Sequence, residues 1–162
     1  LIYKADITFY SNNFGGLLVI KKIEEGNYRL ALTTQFGLKI FDFELNKGRL
    51  NVVFCIYQLN KKVIIDLFED DFNLLLVQLE YDRSFSMRNN ELNQNIWLLT
   101  SDKMNTYYIQ NSNSESIDFI SKRKRNSEKI SVGLRNYKDG LPGEINLKHQ
   151  RIKHSINLKL LQ

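Results

Sequence analysis

The chain has 162 residues, of which 43% are hydrophobic and 12% aromatic, and its formal net charge is +5 at pH 7. A length of this order suits one domain that buries roughly 70% of the surface its unfolded chain would expose, and the composition shows no break, so residues 1–162 are expected to form a single domain. The single cysteine excludes an internal disulfide, and the longest apolar runs, such as Leu74 to Val77, fall far short of the roughly 20 residues of a spanning helix.

From Tyr3 onward, apolar and alternating segments recur at short intervals. They are separated by Asn12-Asn13, Glu25-Gly26-Asn27, Gln35-Phe36-Gly37 and Asn46-Lys47-Gly48. This spacing predicts strands near 3–11, 15–23, 27–34, 38–45 and 49–58, joined by hairpins into a meander. Phe41, Phe43 and Leu45 share one strand face, with Lys39, Asp42 and Glu44 largely on the polar side. Leu17-Leu18-Val19-Ile20 is apolar on both parities, as in a strand covered on both sides. Gly15-Gly16 reads as punctuation near a hairpin.

Ile64, Phe68, Phe72, Leu75 and Leu79 recur at helical spacing, which predicts a covering helix over Asn60 to Leu79 with Asn60 as its N-cap and Asp70-Asp71 as a point of interruption. Residues 80–94 read as polar and irregular. Strands resume near 95–100, 105–110, 116–122, 128–138, 144–149 and 152–161, with Gly140-Leu141-Pro142-Gly143 as a turn. The expected class is therefore mainly β with a helical lid (α+β), an incompletely closed antiparallel β-barrel or strongly curved sheet of about eleven strands.

No nucleophile elbow, glycine-rich phosphate cradle or Cys-x-x-Cys pair is present, so neither an enzyme nor a cofactor site is expected. Asp66, Glu69, Asp70 and Asp71 fall at i, i+3 and i+4 and read as a solvated helix face, since no glycine turn of a calcium loop accompanies them. His149 and His154 could be set opposite each other by a hairpin, but two ligands do not make a zinc site, so no metal is expected. Cys55, in an apolar run, reads as a small buried thiol. Lys122, Arg123, Lys124 and Arg125 concentrate positive charge that reads first as a solvated hairpin end and otherwise suits an anionic surface. The aromatic and basic interleaving of a nucleic-acid platform is missing, so no nucleic acid is expected.

Two stretches then carry a family likeness. Tyr28-Arg29-Leu30-Ala31-Leu32-Thr33-Thr34-Gln35-Phe36-Gly37, followed by a strand, and Leu141-Pro142 through Glu144-Ile145-Asn146-Leu147 to Gln150-Arg151-Ile152-Lys153 and a last apolar strand resemble the outer-membrane lipoprotein receptor of the bacterial Lol lipoprotein-sorting pathway (LolB-like) and its related carrier. The resemblance is close over about a third of the chain. It departs at the family's N-terminal helix, which is not evident before Tyr3, and between Glu80 and Asn95.

What the resemblance implies is an unclosed barrel whose apolar interior receives the acyl chains of lipids or lipoproteins. It further implies a monomer of the cell envelope facing the periplasm, held at the outer membrane by a lipid anchor on an N-terminal cysteine that is not in this sequence. The turn matching Gln35-Phe36-Gly37 would present Phe36 to a membrane or a cargo lipid, unless Phe36 folds back onto the sheet. An acyl cavity needs no polar signature, because each buried methylene contributes about 0.8 kcal/mol on its own. Leu30, Leu32, Phe41, Phe43, Val132 and Leu134 are the candidates to line such a cavity, or else to fill a core.

Overall fold

The computed structural model describes residues 1–101, 103–111 and 113–161. In chain order it holds β1 (Ile2–Phe9), β2 (Asn12–Glu24), β3 (Asn27–Thr33), β4 (Lys39–Asn46), β5 (Arg49–Cys55), α1 (Lys62–Leu75), β6 (Arg83–Asn89), β7 (Gln94–Thr100), β8 (Asn105–Asn111), β9 (Phe119–Lys124), β10 (Ser127–Arg135), β11 (Glu144–His149) and β12 (His154–Leu160). The strands pair in the order β5-β4-β3-β2-β1-β12-β11-β10-β9-β8-β7-β6, an antiparallel sheet that does not close into a barrel. This is the mainly β class with a helical cover that the sequence predicts.

The twelfth strand is β6, where the sequence reading expected irregular chain. Arg83–Asn89 is exposed over almost its whole length, so the alternation of Ser84, Phe85, Ser86 and Met87 answers to no buried face. Gly15 and Gly16, expected at a hairpin, lie inside β2. A Cβ at Gly16 would stand 1.9 Å from the Thr33 carbonyl oxygen, so the backbones approach closely at this point and only glycine fits.

The chain packs as two compact units. One comprises Leu1–Asp6, Asn13–Glu80 and the end of β12 from Leu160; the other comprises Ile7–Asn12 and Tyr81–Lys159.

In the first unit, cross-strand pairing puts Leu18 opposite Leu32 and Ile20 opposite Leu30, then Leu30 opposite Phe43 and Leu32 opposite Phe41. All six are buried. Helix α1 covers this face with Ile64, Phe68 and Phe72, the i, i+4, i+8 stripe legible in the sequence. Phe41 and Phe43 stack at 4.4 Å, and Phe68 sits 5.3 and 5.7 Å from their ring centres. Each such ring adds about 1.5–3 kcal/mol by leaving water.

The helix begins later than predicted. Lys61 is its N-cap and makes no side-chain capping bond, since an ammonium has no acceptor to offer the first-turn amides. Asp70 and Asp71 do not interrupt it, and it ends at Leu75, before Leu79.

In the second unit a single line of direct partners crosses the strands, with Tyr108 opposite Ile120, Ile120 opposite Val132, Val132 opposite Leu147 and Leu147 opposite Ile156. All five are buried and make the apolar face of this unit. The turn flagged at Gly140 to Gly143 forms as expected, with Lys138 and Leu141 exchanging backbone bonds of 2.8 and 2.9 Å.

Candidate functional site

The connection from β3 to β4 is a tight turn tied at its base. The Thr34 amide donates to the Leu38 carbonyl at 2.8 Å, the Gly37 amide to the Thr34 carbonyl at 3.0 Å, and the Leu38 amide to the Thr34 hydroxyl at 3.1 Å. Gly37 supplies the left-handed residue at φ 80. This clamp leaves Phe36 94% exposed and Leu38 70% exposed. Phe36 therefore points into solvent and does not fold back onto the sheet.

A cleft of about 690 Å³ opens in the same unit, lined by Leu1, Ile2, Val19, Ile20, Tyr28 and the helix exit Leu75, Leu76 and Val77, with Lys21 and Lys22 as its charged members. Its size falls within the roughly 300–1,000 Å³ of small-molecule sites. Val77 shapes the exit from α1 with φ 55, a left-handed conformation that a branched side chain rarely takes. The sequence reading missed this cleft. The one signal was Leu17 to Ile20, apolar on both parities, which lets Ile20 turn to the core while Val19 stays 38% exposed.

The residues expected to line an acyl cavity lie elsewhere. Leu30, Leu32, Phe41 and Phe43 are fully buried in the core of the first unit, the two phenylalanines within the ring cluster under α1. Val132 is fully buried in the second unit, and Leu134 borders a separate polar cleft of about 870 Å³ with Ser114, Asp118 and Tyr137. None of the six lines the cleft at the helix exit.

The basic run is divided along β9, from its buried stretch to the hairpin end. Lys122 is buried, whereas Arg123, Lys124 and Arg125 are exposed at the β9–β10 hairpin. Arg123 lies over the Tyr107 ring at 5.6 Å and stands 3.9 Å from Glu128. Lys129, close by, has its pKa lowered by desolvation and then by the charges of Arg151 and Lys124.

The acidic residues of α1 do not form one solvated face, as had been expected. Asp66 pairs with Lys62 at 2.9 Å and Glu69 accepts the Leu50 amide at 2.7 Å, while Asp71 is fully buried. His149 and His154 do meet across the β11–β12 hairpin, with ring centres 4.9 Å apart, and His154 Nδ1 lies 3.0 Å from the Thr8 carbonyl, which sets the proton on that nitrogen. Cys55 is half-buried, and desolvation pushes its thiol up to about 11.

No family model matches the chain, and no curated protein matches it in sequence. Among solved structures it is similar to one described as "Crystal structure of putative outer membrane lipoprotein-sorting protein domain from Vibrio parahaemolyticus", at a TM-score of 0.51 and 10% identity, covering 98% of this chain and 81% of that one. At that identity the likeness is one of fold.

Proposed function

We propose that the chain is a non-catalytic protein of the cell envelope, facing the periplasm and held at the outer membrane by an N-terminal lipid anchor, that engages the acyl chains of lipids or lipoproteins and takes part in lipoprotein localisation. The observation that carries this reading is Phe36, 94% exposed beside Leu38 at the tip of a tied hairpin. A folded chain gains about 1.5–3 kcal/mol by burying a phenylalanine, and here the turn geometry holds one in water. An acyl chain or a bilayer recovers that free energy, and a rigid turn loses little entropy on insertion.

The apolar cleft at the helix exit supports the same reading, with Lys21 and Lys22 placed to meet a phosphate or carboxylate headgroup. So does the likeness in fold to a lipoprotein-sorting domain.

The test is binding of a fluorescent diacylated lipopeptide by the wild type and by Phe36→Glu. The variant alters a side chain with almost no folded-state contact, so its melting curve should match the wild type, while lipopeptide affinity falls by about tenfold or more. Equal affinity in the two proteins would remove Phe36 from the site.

A structural or interaction module is the rival reading, favoured by the free edge of β5, where Val52, Val53 and Phe54 are exposed. It predicts that a protein partner is lost on placing Lys at Val53, with lipopeptide binding unchanged.

A further inference from the structure

The two faces of the second unit differ in a way that polarity alone would not produce. One is the buried line through Tyr108, Ile120 and Val132. The register of β6 to β9 orders the opposite face into four rows. Arg83, Thr100, Asn105 and Arg123 form the first, and Phe85, Leu98, Tyr107 and Ser121 the second. Met87, Ile96, Ile109 and Phe119 form the third, and Asn89, Gln94 and Asn111 the fourth.

The two middle rows are thus apolar but for Ser121, and they remain open to solvent. Phe85 is 48% and Met87 46% exposed, and the other apolar members are partly exposed. Continuing along the sheet, the same face becomes polar: Ser131 and Arg135 on β10, then Glu144, Asn146 and Lys148 on β11. A contiguous apolar patch confined to one part of a solvent face marks a surface that meets something other than water.

Charge identifies what it meets. The patch ends at one side in neutral amides, with Gln94 bonded to Asn111 at 2.9 Å. At the other side it ends in Arg83 and Arg123, and Lys124 and Arg125 follow Arg123 into the hairpin turn. Among the described residues, the acids near that end are Asp82, next to Arg83 in sequence, and Glu128, which is shared between Arg123 and the Ser121 hydroxyl. Cations outnumber them. Aliphatic and aromatic rows next to a basic rim match the interface of an anionic bilayer, where side chains enter the acyl boundary and cations meet phosphates.

We infer that the β6–β9 face, built on Phe85, Leu98, Tyr107, Met87, Ile96 and Phe119 with its Arg83/Arg123 rim, is a docking surface for an anionic lipid bilayer. It is distinct from the Phe36 tip and does not depend on acyl-chain handling there.

The experiment is vesicle flotation at several salt concentrations, with phosphatidylcholine alone and with phosphatidylcholine mixed with phosphatidylglycerol. The proteins are the wild type, the Phe85→Ser/Met87→Ser double variant, the Arg83→Gln/Lys124→Gln/Arg125→Gln triple variant and Phe36→Glu, each checked by circular dichroism and light scattering. Wild type should prefer the mixed vesicles. The double variant should bind both compositions about tenfold more weakly. The triple variant should lose about fivefold per charge on mixed vesicles only, with a flatter salt dependence. Phe36→Glu should keep the preference for anionic lipid.

No binding to mixed vesicles, or binding unchanged in both face variants, would overturn the inference. So would complete loss of binding in Phe36→Glu alone, which would leave the tip as the membrane contact. A lipid-free dimer that the double variant dissolves would assign the face to a second copy instead.

Discussion

On β3 and β4 the residues facing away from α1 include Arg29, Asp42 and Glu44. Arg29 bonds both carboxylates, reaching Asp42 at 2.5 Å, and Lys39 joins Asp42 at 2.7 Å. On β6 to β9 the solvent-facing positions hold Phe85, Met87, Ile96, Leu98, Tyr107, Ile109 and Phe119. Both regions are antiparallel ladders, so pairing does not distinguish them. The first closes its outer face with an ion network whose charges satisfy one another; the second leaves apolar area open to water. A solvent face of the second kind is where a partner is to be sought.

The comparison breaks first, and most visibly, if apolar rings in the two regions prove energetically alike. Phe68→Ala should cost about 3–5 kcal/mol in chemical denaturation, since it opens a cavity among Phe41, Phe43 and Phe72. Phe85→Ala should stay within about 0.5 kcal/mol. A comparable loss at Phe85 would make the β6–β9 face part of a core.

The ion network sharpens the other side of the contrast. The Arg29 hydrogen bond, with Lys39 adding to it, holds the Asp42 carboxyl below its ordinary value. A depressed folded-state pKa stabilises the fold above the unfolded value of about 3.9 and loses that contribution as pH falls through the folded value. Asp42→Asn should therefore cost about 1.5–3 kcal/mol at neutral pH, and the gap to wild type should narrow in urea titrations below about pH 4. A gap independent of pH would deny the network its role.

Smaller still is the effect at Val77, whose φ of 55 suits glycine better. Val77→Gly should raise the melting midpoint by up to the equivalent of about 1 kcal/mol. The smallest is kinetic: with its thiol pushed up to about 11, Cys55 should react with a disulfide reagent at pH 8 far more slowly in the folded protein than in urea.

Much of this fold was legible because alternation reports burial. Leu30 and Leu32, Phe41 and Phe43, and the Ile64, Phe68, Phe72 stripe each announced a buried face, and the turn glycines marked hairpin ends. β6 escaped because Ser84, Phe85, Ser86 and Met87 pack against no core, so their alternation carried no sign of burial. The start of α1 lies at Lys61 and not Asn60, the extended backbone of Lys61 (φ -124, ψ 136) marking the cap. Phe36 was singled out by the family resemblance, which left open whether it folds back onto the sheet; the bonds among Thr34, Gly37 and Leu38 hold it in solvent. The cleft could not be found from sequence, because it gathers Leu1, Val19, Tyr28 and Val77 from separate segments through a backbone reversal that valine does not advertise.

Acyl-chain handling by the first unit is decided by native mass spectrometry of the protein purified from cells, followed by displacement with a fluorescent fatty acid. The expected result is a bound lipid mass that the probe displaces, with probe affinity weakened in a folded Val19→Glu variant and unchanged in Phe85→Ser. A lipid-free mass together with no probe binding by the folded wild type would contradict it.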